Sequence, residues 1–174
     1  SEKENLVLKK TRFIRDFVRG NFEDQRQAIT EAETAKLYID YEKYVIVVQR
    51  SREINKENRA YSLMLKAIDE AASVEGYGIH LISNNQNLFV LFGDSQEAIE
   101  NVLEGMMKIA DEYCCDYVIA VSNYHTDFAE SSKAYLEADT TFDNHLLMGN
   151  RKVIRFSDVP RQNYISLISE SYLQ

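Results

Sequence analysis

Residues 77–92, YGIHLISNNQNLFVLF, decide how this chain folds. Gly78 to Ile82 and Leu88 to Phe92 are apolar runs, and the polar residues 83–87 between them read as the turn of a β-hairpin. Asn tolerates positive φ better than most residues, which suits Asn84 and Asn85 to that turn. An isolated hairpin is marginal in water, and strands this apolar belong inside a sheet. The flanking segments must therefore supply further strands and a covering layer.

Working outward, Tyr44 to Val48 is a β-branched run expected to be buried on both faces, and Lys56 to Val74 has helical spacing with Tyr61, Leu65, Ile68 and Ala72 inward. After the hairpin, Asp94-x-x-Glu97 has the form of a capping box opening a helix through Tyr113. Residues 115–122 read as a strand. Asp127-x-x-Glu130 repeats the capping pattern before a helix running through Leu146 to Gly149, and residues 153–156 form a last short strand. A terminal helix is expected over 161–173. The order β-α-β-β-α-β followed by α-β predicts an α/β (α+β) domain. Its ferredoxin-like split core carries one extra α-β unit, giving a five-stranded mixed sheet with helices on both faces.

Two helices are expected before the sheet. Leu6, Val7, Phe13, Ile14, Phe17 and Val18 recur at helical spacing and stop at Gly20, and residues 24–37 form the second pattern. The division expected is a helical segment over 1–40, the α/β domain over 41–159 and a terminal stretch over 160–174. Six basic residues stand against three acidic ones in the first twenty, although the 174-residue chain has a formal net charge of −8. Leu6, Phe13, Ile14 and Phe17 form an amphipathic face able to pack on the domain or to pair two copies, so a homodimer is expected.

The acidic balance argues against DNA binding by this chain alone, because duplex binding requires a basic face. No apolar run approaches the roughly 20 residues that span a bilayer, and no leader pattern opens the chain. Cys114 and Cys115 are adjacent, which suits reduced thiols better than a stapling disulfide and points to the cytoplasm. Neither a cofactor nor a metal site is expected. His125-Thr126-Asp127 has the form of a carboxylate-oriented imidazole, but Asp127 is accounted for as a cap and no nucleophile accompanies it. His80 reads as a packed strand residue, and Glu137, Asp139 and Asp143 as a solvated acidic face.

Three stretches carry a family resemblance: Ser122 to Phe128, Ser132 to Ala138, and Met148 to Val159. They look like the pattern S-x-x-H-x-D, S-Y-x-E-A and G-x-x-x-V-I-x-F-x-D-V of the degenerate GGDEF-like domain. That domain occurs in bacterial transcription regulators of the AraC type, some membrane-anchored, and in PucR- and CdaR-like regulators. Residues 13–20 resemble the helix-ending block before it. The resemblance implies a signal-relay and dimerisation module whose DNA-binding helices lie elsewhere, and an upstream sensor. Compared with the active diguanylate cyclases of the wider fold, residues 84–88 replace Gly-Gly-Asp-Glu-Phe, removing both glycines and both carboxylates. The end of the first strand offers Arg50 and Arg52 where an Asp metal ligand is expected. Two-metal phosphoryl transfer needs those anionic oxygens, so no enzyme activity is expected. The alternative is a receptor for a nucleotide or other anion, using Arg50, Arg52, Asn84, Asn85 and Gln86.

Overall fold

A computed structural model describes residues 1–51, 54–81, 86–113 and 116–160. The elements are α1 (Glu2–Val18), α2 (Gln25–Thr34), β1 (Lys43–Ser51), α3 (Ile54–Glu70), β2 (Val74–Leu81), β3 (Gln86–Gly93), α4 (Gln96–Tyr113), β4 (Tyr117–Val121), α5 (Ser131–Asp143) and β5 (Val153–Arg155). The sheet order is β2-β3-β1-β4-β5, with β4 and β5 parallel and every other pair antiparallel. This is the split βαββαβ arrangement with one added parallel strand, as the element order predicts.

β1 lies at the centre because both of its faces are apolar. Tyr44, Ile46 and Val48 enter a core shared with α1, α2 and α5, while Val45 and Val47 enter a second core under α3 and α4. The fully buried α3 stripe is Ala60, Met64 and the expected Ile68, the expected Tyr61 and Leu65 pack only partly buried beside it, and Val74 opens β2 rather than closing the helix. Asp94 does not cap α4. Ser95 Oγ accepts the Ala98 N–H at 3.1 Å, and Asp94 instead accepts the Glu42 N–H at 3.3 Å. The proposed terminal helix, Cys114, Cys115, Arg52, Asn84 and Asn85 lie outside the described residues.

The α1 residues Phe13, Ile14, Phe17 and Val18 are buried in the first core. Phe17 meets Tyr44, Phe92 and Phe128 at ring-centroid distances of 5.3, 5.4 and 5.6 Å. The pairing face expected of Phe13, Ile14 and Phe17 is thus consumed within the chain, and Leu6 is half-buried. Their apolar area is removed from water by the sheet itself, so a partner gains nothing from them. The exposed apolar residues of α1 are Val7 and Leu8, at 57% and 63% exposure.

Both N-terminal helices end in Schellman geometry. Gly20 N–H donates to Phe17 O and Asn21 N–H to Asp16 O, with Gly20 at φ 67°. Lys36 N–H donates to Glu33 O and Leu37 N–H to Ala32 O, with Lys36 at φ 56°. A left-handed residue bearing a Cβ costs about 1–2 kcal/mol. Opposite signs follow at the same motif position. Gly20→Ala should destabilise by that amount, its new Cβ 3.2 Å from Ser132, and Lys36→Gly should stabilise by up to about 1 kcal/mol. Urea titration of both variants distinguishes this from a neutral pair.

Candidate functional site

β4 ends at Val121, directly before Ser122, the first of the motif residues. Ser122 Oγ accepts the Ile46 N–H at 2.9 Å and donates to Asn123 O at 2.8 Å, turning the chain away from the sheet. Three residues on, His125 exchanges both backbone hydrogen bonds with Tyr44, at 2.9 and 3.0 Å, and their rings stack at 5.7 Å. Tyr44 Oη donates to Asp127 O at 2.7 Å, and burial, followed by the charges of Glu130, Asp127 and Glu137, raises its phenol well above the ordinary range. Asp127 caps a short turn by accepting the Ala129 N–H at 2.9 Å, while Glu130 is drawn to His125 instead of completing a capping box.

The imidazole of His125 sits between two carboxylates. Nε2 is 2.6 Å from Glu137 Oε1 and Nδ1 is 3.1 Å from Glu130 Oε2. An ionised carboxylate only accepts, so beside two ionised glutamates this geometry suits a ring with protons on both nitrogens, an imidazolium. Burial pulls the His125 pKa down, but Glu137 and then Glu130 more than offset it, and the net shift is upward. The side chains of His125 and Glu137 are only 6% and 4% exposed. Glu137 also faces the Asn123 N–H at 3.3 Å and Asn123 Nδ2 at 3.5 Å. It is therefore a buried ion-pair partner and not part of a solvated acidic face.

Further along α5, Asp139 is half-buried and Asp143 exposed. Burial raises both pKa values, with Asp143 adding to the effect on Asp139 and His145 opposing it at Asp143. Because Glu137 turns inward, the three carboxylates do not converge. Among the described residues no group of three His, Cys, Asp or Glu is placed to hold a metal ion. His80 packs against Tyr61 with ring centroids 5.3 Å apart.

The ends of β1 and β3 carry the described members of the expected ligand-binding set. Arg50 and Gln86 are cross-strand partners at the ends of β1 and β3, so two of the five predicted ligand-binding residues do meet. Arg50 is exposed and Gln86 half-buried. One residue inward, Gln49 and Asn87 are also cross-strand partners, fully buried on the α3 and α4 side, and Asn87 Nδ2 donates to Gln49 Oε1. The two neutral amides share one hydrogen bond there. The pairing is incomplete, since among the described residues Gln49 Nε2 and Asn87 Oδ1 find no partner.

Removing one member of such a pair strands the other, whereas replacing both by apolar groups of similar shape is close to neutral. Asn87→Leu alone should therefore cost about 1–3 kcal/mol, and Gln49→Met with Asn87→Leu should recover most of that loss. Denaturant titration of the single and double variants tests the pair. A neutral single variant would show that the amides do not depend on each other.

The fold and these strand ends define a class: an α/β module on a split antiparallel core whose central strand ends hold amides and an arginine. The family of GGDEF-like domains matches residues 19–143, more than half of the chain, and the chain belongs to that family. Among curated proteins none matches. Two solved structures are similar over about half of the chain. The de novo designed protein Foldit4 is 20% identical with a TM-score of 0.40, covering 48% of this chain and 94% of its own. A structural-genomics protein, YJCS, is 9% identical with a TM-score of 0.36, covering 47% of this chain and 96% of its own.

The site residue that the spacing missed is Glu137. Its signal was present in the motif pattern, where Ser122, His125 and Glu137 recur together, but helical periodicity alone cannot say that a carboxylate turns inward.

Proposed function

We propose that this chain is a non-catalytic signal-relay and dimerisation module of a bacterial AraC-type transcription regulator, acting in the cytoplasm. DNA contact is left to another part of the full-length protein. The observation carrying this reading is the unbroken ring contact from α1 to the buried ion pair: Phe17 packs on Tyr44, and Tyr44 stacks on His125. A rotation or shift of α1 imposed from an upstream sensor is felt at β1, at the β4 exit loop and at α5 together. Packed cores respond to such a shift by switching between discrete arrangements rather than by deforming smoothly.

The absence of turnover is supported by the Gln49–Asn87 amide pair and by Arg50 at the end of β1. Purified protein incubated with GTP and Mg²⁺ should release neither pyrophosphate nor a cyclic dinucleotide. Nucleotide consumption that disappears with chelator would overturn the non-catalytic reading. Sedimentation equilibrium tests dimerisation. A dimer weakened by Leu8→Glu fits a seam along the exposed side of α1, and a strict monomer at millimolar concentration removes dimerisation from the proposal. No described helix is long and apolar enough to cross a membrane.

A second reading, a receptor for a nucleotide or other anion, is favoured by Arg50. It is exposed at the end of the central strand and forms no ion pair with any described residue.

A further inference from the structure

An open groove of about 730 Å³ lies on the α5 side of the sheet, where β1 ends and β4 begins. It takes in Arg50 but not Gln86, because the groove runs from β1 toward β4 and β5 while Gln86 lies on the other neighbour, β3. Val118, the β4 partner of Arg50, contributes to its apolar lining together with Phe142 at the end of α5. The chain then turns through residues 145–149, where Gly149 at φ 75° sends it back toward β5. This return segment brings Arg151 and Lys152 to the groove that Arg50 enters from the sheet.

Charge and ring surface are thus combined in one concavity. Three cations line it against a single acid, Asp116, in a protein whose formal net charge is −8. Arg151 and Lys152 are held loosely by Asp158 at 3.9 Å and Asp111 at 3.6 Å, and all four of these side chains are largely exposed. Such surface pairs are weak and are readily exchanged for a better anion. Arg50 has no ion pair to give up among the described residues. His145 lies beside Phe142 with ring centroids 5.1 Å apart, and its Nδ1–H donates to Phe142 O at 2.7 Å, which leaves Nε2 available to a ligand. A half-buried ring pair with guanidinium groups around it matches a flat apolar ring that carries a compact anion.

We propose that this groove binds a small phosphorylated molecule bearing a flat ring, with Arg50 and Arg151 on the phosphate and Phe142 and His145 against the ring. The proposal gives the receptor reading a location, apart from Gln86, and a ligand class. Its failure would leave the relay reading intact, since relay through α1 uses none of these residues.

Phenyl phosphate and AMP are suitable probes, with inorganic phosphate as the ringless comparison, titrated into the purified chain and followed by amide chemical shifts and calorimetry. Saturable shifts centred on Val118, His145 and Lys152 are expected, with phenyl phosphate binding about tenfold more tightly than inorganic phosphate. Arg50→Ala should weaken phenyl phosphate about tenfold, and His145→Ala should reduce the preference for the ring-bearing probe. Lys66→Ala, on an exposed turn of α3, should change neither. Arg50 and His145 are outside the cores, so both variants should fold, which their amide spectra check directly. The proposal fails if no saturable shift appears at millimolar probe, if Arg50→Ala binds as the parent does, or if inorganic phosphate binds as tightly as phenyl phosphate.

Discussion

Glu137→Ala should lower the unfolding free energy by about 3 kcal/mol near pH 6, the largest loss expected of any polar substitution in the described residues. It removes the nearer of two carboxylates from a histidine that is 6% exposed. The figure is the low end of what breaking a buried pair costs, because Glu130 remains 3.1 Å from Nδ1 and is itself 43% exposed. The penalty should shrink toward pH 8, where a histidine without Glu137 sheds its proton and escapes the burial of an unpaired charge.

The sign in the parent protein follows from the raised His125 pKa. A group whose folded pKa lies above its unfolded value near 6.5 contributes stability that is fully present below that value, and the contribution is lost as pH rises through the folded pKa. The stability difference between parent and Glu137→Gln should therefore be widest on the acid side and close on the alkaline side. Denaturant titrations across this range, with the His125 ring protons followed in parallel, make the check. A Glu137→Ala variant within about 0.5 kcal/mol of the parent, the ordinary range for a surface change, would show that the pair contributes nothing structural.

Phe17→Ala should cost about 3–5 kcal/mol, the usual range for emptying a fully buried aromatic site. The cavity opens among Tyr44, Phe92 and Phe128, and Phe13, itself 5.9 Å from Phe17, loses a neighbour as well. What the measurement decides is whether α1 is a limb or a part of the core. If α1 shares the core, the whole cooperative transition moves to lower denaturant as a single step, and the His125 resonances shift because Tyr44 is released on one side. An unchanged main transition preceded by a small separate loss of helix would mean that α1 docks independently, and the relay proposed through Phe17 would lose its physical basis.

Much of the architecture was legible because its causes are local. The β-branched run of β1 had to be central, the apolar strands of the hairpin had to have neighbours, and Gly20 had to stop α1 at a left-handed position. The element order then left few topologies, since crossover handedness and short connections restrict the remainder. The errors were of one kind. Ser95 rather than Asp94 caps α4, the fully buried α3 stripe is Ala60, Met64 and Ile68 with Tyr61 and Leu65 only partly buried beside it, and of the two readings of the α1 face Phe13, Ile14 and Phe17 take the inward one. In each case the residue type permitted two environments and spacing did not choose between them.

By itself, then, the sequence determined the strands, most of the helices and their order, because period and turn chemistry are properties of neighbouring residues. Only the tertiary structure decided that Glu137 meets His125, that Gln49 pairs with Asn87, and that Arg50 opens into a groove with Phe142 and His145. These residues are brought together by strand register and by the docking of α5 on the sheet. Which partner a polar side chain finds there depends on what burial leaves it, since a charge or amide removed from water takes the complementary group that the packing places within reach.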